Sequence, residues 1–330
     1  RKNSKWLKNY ALYMAVKKRI VGVIGLGHVG AHVAFNLGVL GIADVVKLCD
    51  VKSKKLISER QDLMDAVMFM PHRVDYTIAS YEELADCDVI VNAIGDITLC
   101  ASGNRDDEMH FTVPQVADFI PKVMAGGFHG IIINVTNPCD VISDLIAKKS
   151  GLPKGHVFGT GTGLDSSRLI SAISQHTGLD HHSFTAFMMG EHGNSQIVPW
   201  SIINFSGKSL GELEQNPAFS FDKARVQEET IHAGWTTYSG KQCTEYGISM
   251  TAATMTRAVL RDERKIMGAS APLDGEYGET GIFCGVPSVI GANGIEEVIE
   301  YNLPEQEMKD FKACCDTIRA NIAKAEAFWK

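Results

Sequence analysis

The chain has 330 residues, 45% hydrophobic and 22% charged, a balance that suits a folded globular protein with a large core. Its net charge of −7 comes without a basic block, which argues against nucleic acid as a partner, and no apolar run is long enough to make a membrane one. Eight scattered cysteines form no CxxC pair and read as reduced thiols of a cytoplasmic protein.

Residues 1–17 stand apart. They are either an N-terminal arm packing on a neighbouring subunit or residues added ahead of a native start at Met14. They lack the apolar stretch of a secretory signal. Arg19–Ile24 is short and rich in Val and Ile, so it reads as a buried parallel strand. Gly25, Gly27 and Gly30 follow at GxGxxG spacing, and His28–Leu40 continues with helical spacing. Val45–Cys49 is a second strand, ending on Asp50. A lone GxGxxG is weak evidence. Between strand and helix, with an acid twenty residues after Gly30, it is specific for a dinucleotide. Gly25 permits the turn, Gly27 the approach of backbone to a pyrophosphate, and Gly30 the packing of helix on strand. The helix start at His28 and Val29 offers free N–H groups and the positive end of the helix dipole. Asp50 suits the adenosine ribose hydroxyls and would repel a 2′-phosphate, so NAD is expected rather than NADP. A merely structural turn with a solvated acid is the alternative.

Lys52–Met70 reads as a helix, Val74–Ala79 as a strand, and Asp88–Ala93 as a buried strand ending at Gly95. A polar segment, Asp96–Asp107, precedes a helix over Glu108–Ala125 with an expected kink at Pro121. Gly130–Thr136 is another buried strand, and Pro138 opens the next helix. The fold class is therefore α/β: a Rossmann, doubly wound parallel sheet over residues 18–152. Ligands bind beyond the carboxyl ends of such strands, which puts Asp50, Gly95 and Asn137 on the rim.

An α+β catalytic and substrate half is expected over 153–330. It holds a strand at His156–Thr160, a helix at Leu164–Thr177, and antiparallel strands at Ser183–Met189 and Ile197–Phe205. Helices follow at Phe221–Thr237 and Thr244–Arg264. A hairpin joins Pro287–Ile290 to Ile295–Tyr301, and a helix runs over Pro304–Trp329.

Asp165 and Arg168 stand three apart on one helical face, His192 sits between two glycines, and Arg105 lies in the polar loop. Oxidation of a 2-hydroxy acid needs such groups. His192 can take and return the hydroxyl proton, and Asp165 can orient the ring. Arg168 can fork a carboxylate, and Arg105 can polarise the carbonyl. Each also has a plainer reading: a surface ion pair, a core histidine, a solvated loop charge. Neither His181-His182 nor Cys314-Cys315 has partners at ligand spacing, so no metal site is expected.

From Lys18 onward the chain resembles the L-lactate/malate dehydrogenase family. The likeness rests on GLGHVG (25–30), Asp50, TNPCDV (136–141), GTGTGLDSSRL (159–169) and GEHGNSQ (190–196). Within that family it looks most like L-2-hydroxyisocaproate dehydrogenases and minor bacterial L-lactate dehydrogenases. The resemblance implies an NAD-dependent oxidoreductase, most simply of L-lactate and pyruvate, assembled as a homotetramer. It implies catalytic roles for His192, Asp165 and Arg105, carboxylate binding by Arg168, and Asn137 beside substrate and nicotinamide. It also implies that Thr244 lines the substrate pocket and that Thr98 holds the specificity position, where Gln marks lactate and Arg malate. Branched 2-oxo acids are the runner-up substrates, and a non-catalytic NAD-binding regulator is the alternative from another class.

Overall fold

A computed structural model of the chain describes residues 17–96, 98–99 and 105–329, without the side chains of 105 and 106. The N-terminal residues 1–16 thus lie outside the described residues. Six parallel strands open the fold: β1 (Ile20–Ile24), β2 (Val45–Cys49), β3 (Asp75–Ile78), β4 (Val89–Asn92), β5 (Ile131–Asn134) and β6 (Val157–Gly159). They lie in the order β3-β2-β1-β4-β5-β6, and each neighbouring pair is parallel. This is the doubly wound dinucleotide-binding order, whose switch point falls between β1 and β4. Helices α1 (His28–Val39), α2 (Ser53–Ala66), α3 (Arg105–Ala125) and α4 (Cys139–Ser150) connect the strands. Both faces are therefore covered, and β4 and β5, spelled VIVN and IIIN, are buried at every position.

The second half adds α5 (Gly163–Thr177), short strands β7 (Asn204–Phe205) and β8 (Lys208–Ser209), α6 (Leu210–Leu213), α7 (Lys223–Lys241) and α8 (Tyr246–Leu260). It ends with β9 (Lys265–Asp274), β10 (Thr280–Gly291), β11 (Gly294–Val298) and α9 (Glu305–Ala325). β9 joins β6 antiparallel through Gly159 and Ser270, so one sheet of nine strands runs through both halves. One buried apolar cluster on the sheet gathers α3, α4 and α9, another gathers α1 and α8, and a third fills the space around α5 and α7.

Several expected elements change. α3 starts at Arg105 and continues through Pro114 and Pro121. The strands expected at Ser183–Met189 and Ile197–Phe205 reduce to single bridges, Thr185 to Asn204 and Met189 to Ile197, and to the two-residue β7 at the end of the second. Pro199 has no N–H to offer a ladder, and a 3-10 turn at Trp200–Ile202 takes the chain out of extension. The helix expected to reach Arg264 stops at Leu260, with Asp262 and Arg264 both at φ +48°. The long β9–β10 pair is the largest addition. Its sequence KIMGASAPLD is poor in strand formers, and ladders to β10 and β6 impose the extension.

Candidate active site

The nucleotide cleft is built by the carboxyl ends of β1, β4 and β5. Gly25 turns at φ +88°, a conformation that favours glycine. A Cβ on Gly30 would lie 1.8 Å from the Gly25 carbonyl oxygen, so only glycine lets α1 pack this closely. A Cβ on Gly27 or on Gly95 would meet none of the described residues within 4 Å, which leaves Gly27 open to an approaching ligand. Among the described residues no side chain caps α1, and no acid stands in its first turn. Its N–H groups and positive dipole end thus remain available to an anion. Asp50 braces the loop: Leu26 N–H and Lys52 N–H each donate to its carboxylate at 2.7 Å. A cleft of about 270 Å³ is lined by Gly27, His28, Val29, Gly95, Asn137 and Cys243, among others.

A second cavity of about 290 Å³ adjoins it and shares Val29, Val135, Asn137 and Cys243. Asp165, Arg168, His192 and Thr244 face it, with a wall of Ile231, Gly234, Trp235 and Tyr238 from α7. Asn137 lies at the junction, and its buried Oδ1 has no hydrogen-bond partner among the described residues. A buried amide oxygen in that state is poised to accept from a ligand. A larger cavity of about 730 Å³ lies between α5 and α7; Arg168 and Thr244 line it as well, but His192, Asp165 and Asn137 do not.

Asp165 is in the first turn of α5 and 1% exposed. One carboxylate oxygen is 2.6 Å from His192 Nδ1, and the other accepts from Arg168 Nη1 at 2.9 Å. Buried Asp165 thus links the half-buried His192 and Arg168 into one chain, so Asp165 and Arg168 are not a surface pair. Burial alone would raise the Asp165 carboxyl, but the His192 charge and hydrogen bond, then the Arg168 guanidinium, outweigh it and hold it below the usual carboxylate range. An ionised carboxylate only accepts, so His192 Nδ1 carries the proton and Nε2 is left for substrate. Gly234 leaves space for the arginine, since a Cβ there would sit 3.3 Å from Arg168 Nη2.

Sequence reasoning missed Asp140. It is buried near the start of α4 and accepts the His192 backbone N–H at 3.0 Å and the Ser270 hydroxyl at 2.5 Å. Burial pushes its carboxyl up to about 6 against these hydrogen bonds. The α7 wall was also missed, although its 3–4 spacing was a visible signal. Thr98 is exposed, and its hydroxyl donates to Asp96 at 2.7 Å. Arg105 begins α3, but its side chain lies outside the described residues, as do most residues of its loop.

This fold and site define a nucleotide-dependent dehydrogenase: a dinucleotide cleft opening onto a His–Asp pair beside an arginine. The family profile for the lactate/malate dehydrogenase NAD binding domain matches residues 19–159, and that for the lactate/malate dehydrogenase alpha/beta C-terminal domain matches 162–329. The chain belongs to the lactate/malate dehydrogenase family. An L-lactate dehydrogenase of Fusobacterium nucleatum subsp. nucleatum is 35% identical over 316 residues, covering 95% of this chain and 99% of that one. L-lactate dehydrogenase 2 of Listeria monocytogenes serovar 1/2a is 36% identical, covering 93% and 99%. Among solved structures, the minor L-lactate dehydrogenase of Enterococcus mundtii in its ligands-bound form superposes with a TM-score of 0.89 at 30% identity, covering 93% of this chain and 98% of that one.

Proposed function

We propose that the protein is an NAD-dependent L-lactate dehydrogenase that interconverts pyruvate and L-lactate. The observation that carries this is the His192–Asp165–Arg168 chain, centred on a buried carboxylate and facing a cavity that opens onto the nucleotide cleft. Residues 18–152 hold the cofactor in this reading, and 153–330 supply the acid–base chemistry. The bound dinucleotide supplies the hydride to the carbonyl carbon. Arg168 holds the substrate carboxylate, with Asn137 and Thr244 beside it. His192 Nε2 delivers the proton to the carbonyl oxygen as charge develops there, and Asp165 stabilises the imidazolium in the reverse direction. Arg105 polarises that oxygen. Such positioned acid–base help is worth ~10²–10⁴ in rate. The cytoplasm and a homotetramer are the expected setting. Met68 and Phe69, 83% and 89% exposed, support association between chains. No helix among the described residues is long and apolar enough to cross a membrane.

A second reading, branched 2-oxo acids, is favoured by the apolar wall of Ile231, Trp235, Tyr238 and Ile248 and by the shortness of Thr98. Oxaloacetate is disfavoured because Thr98 offers its second carboxylate a hydroxyl and no positive charge, and a carboxylate taken from water without a cation is costly. The test is kcat/KM with NADH for pyruvate, 2-ketobutyrate, 2-ketoisocaproate and oxaloacetate. Pyruvate and 2-ketoisocaproate should both react, with a modest ratio between them, since methylene discrimination is limited to ~1–3 kcal/mol. Preference for oxaloacetate overturns the substrate reading. In the His192→Ala variant turnover should collapse while NADH still binds, and unchanged turnover overturns the enzymatic reading.

A further inference from the structure

Three ligand-type side chains from distant parts of the chain meet at the edge of the nucleotide cleft. His28 opens α1, while Cys243 and Glu245 flank Thr244 between α7 and α8. A ring nitrogen of His28, the Cys243 sulfur and a Glu245 carboxylate oxygen all lie within 4.8 Å of one another. The two oxygens of Glu245 divide their partners. Oε1 pairs with Lys241 Nζ at 2.5 Å, and Oε2 faces Nδ1 of His28 at 3.3 Å and Nδ1 of His32 at 3.6 Å. Among the described residues the Cys243 sulfur makes one long hydrogen-bond contact, 3.6 Å, to the Thr244 carbonyl. From this geometry we propose that His28, Cys243 and Glu245 bind a divalent transition-metal cation of the zinc class.

The donor set decides the class. A thiolate, an imidazole and a carboxylate suit zinc and cobalt, whereas magnesium and calcium prefer all-oxygen shells. Bonds of about 2.0–2.3 Å in a tetrahedron place ligand atoms roughly 3.3–3.8 Å apart. The cluster, at up to 4.8 Å, is thus wider than a bound site by no more than about 1.5 Å. The His28 side chain, 65% exposed, is free to close that gap. His32, one turn further along α1, backs the same oxygen of Glu245. A metal-free ion-pair network centred on Lys241 and Glu245 is the competing account, and it gives Cys243 no part.

His28 and Cys243 both line the nucleotide cleft, and Cys243 also lines the substrate cavity. A cation held there ties α1 to the loop that carries Thr244. On the cofactor reading above, it competes with the dinucleotide for this ground, so the site would be inhibitory.

The experiment is to strip the full-length protein with chelator and titrate it with Co²⁺ alone. The expected result is about one equivalent bound per chain, with a thiolate-to-cobalt charge-transfer band and the visible bands of a tetrahedral site. Zn²⁺ should displace the cobalt, Cys243→Ser should abolish the charge-transfer band, and Glu245→Gln should weaken binding about tenfold or more. Absence of the band, its survival in Cys243→Ser, or unchanged cobalt affinity in Glu245→Gln overturns the site. The glutamine variant, nearly the same shape, serves if the serine variant does not fold. NADH binding followed by fluorescence should weaken when Zn²⁺ is present, and equal affinity overturns the competition. Failure of the stripped protein to bind NADH counts against the cofactor reading alone, because the cobalt spectrum does not depend on it.

Discussion

Asp165→Asn separates charge from geometry at the centre of the site. Asparagine keeps the size and can still accept from the protonated His192 Nδ1, but it removes the negative charge that faces both His192 and Arg168 at 2.6 and 2.9 Å. Removing one partner of a buried charge pair costs about 3–5 kcal/mol. The lower end applies here, since Asp165 is 1% exposed but the His192 side chain is 19% exposed and partly wetted. About 3 kcal/mol corresponds to roughly a 10²-fold loss. The expected outcome is a fall of about that size in kcat/KM for pyruvate, with the Kd for NADH unchanged. Stability changes in a linked way. The folded carboxyl titrates below its ordinary value, so its contribution is present above the unfolded pKa and is lost as pH falls through the folded one. Wild-type and variant melting curves should therefore converge in acid. A variant with wild-type kcat/KM near neutral pH would refute the role of Asp165.

Arg168→Lys keeps a positive charge but loses the fork, so KM for pyruvate should rise and kcat fall together in steady-state assays, since misplaced substrate loses orientation as well as affinity. Gly234→Ala places a methyl group 3.3 Å from Arg168 Nη2; KM for the oxo acid should rise several-fold, and NADH affinity measured by fluorescence should not move. In Asp140→Asn the amide can still serve Ser270 and His192 N–H without a buried charge. The Asp140 carboxyl rises from 3.8 to about 6 on folding, so its contribution in the wild type is fully present below the unfolded value and lost as pH rises through about 6. The variant should accordingly gain stability relative to wild type across that window, by up to about 3 kcal/mol, and a Tm difference that stays flat from pH 3 to 8 would show that the buried carboxyl does not titrate there.

What the sequence showed of this protein depends on the distance over which each signal acts. The dinucleotide unit was readable because its parts are contiguous: Gly25, Gly27, Gly30 and Asp50 lie within one strand–helix–strand passage. Asp165 and Arg168 were readable because a helix puts residues three apart on one face. Their link to His192 needed more, since the histidine arrives from 27 positions further on, and only the coincidence of residue types suggested it. The groups that hold the site were not readable at all. Asp140 fixes the His192 backbone from 52 positions away and is itself fixed by Ser270 from 130 away. No periodicity carries that information. The strand holding Ser270 forms from residues of low strand preference, because β6 and β10 pair with it. The same reasoning explains how His28, Cys243 and Glu245 escaped a search for metal-ligand spacing. Such a search assumes that ligands cluster in sequence, whereas here a helix start and a distant loop are brought together by the packing of α1 on α8, anchored by the Asn36–Ser249 hydrogen bond at 3.0 Å. Loosening that packing by Asn36→Ala should therefore weaken cobalt binding without touching any ligand.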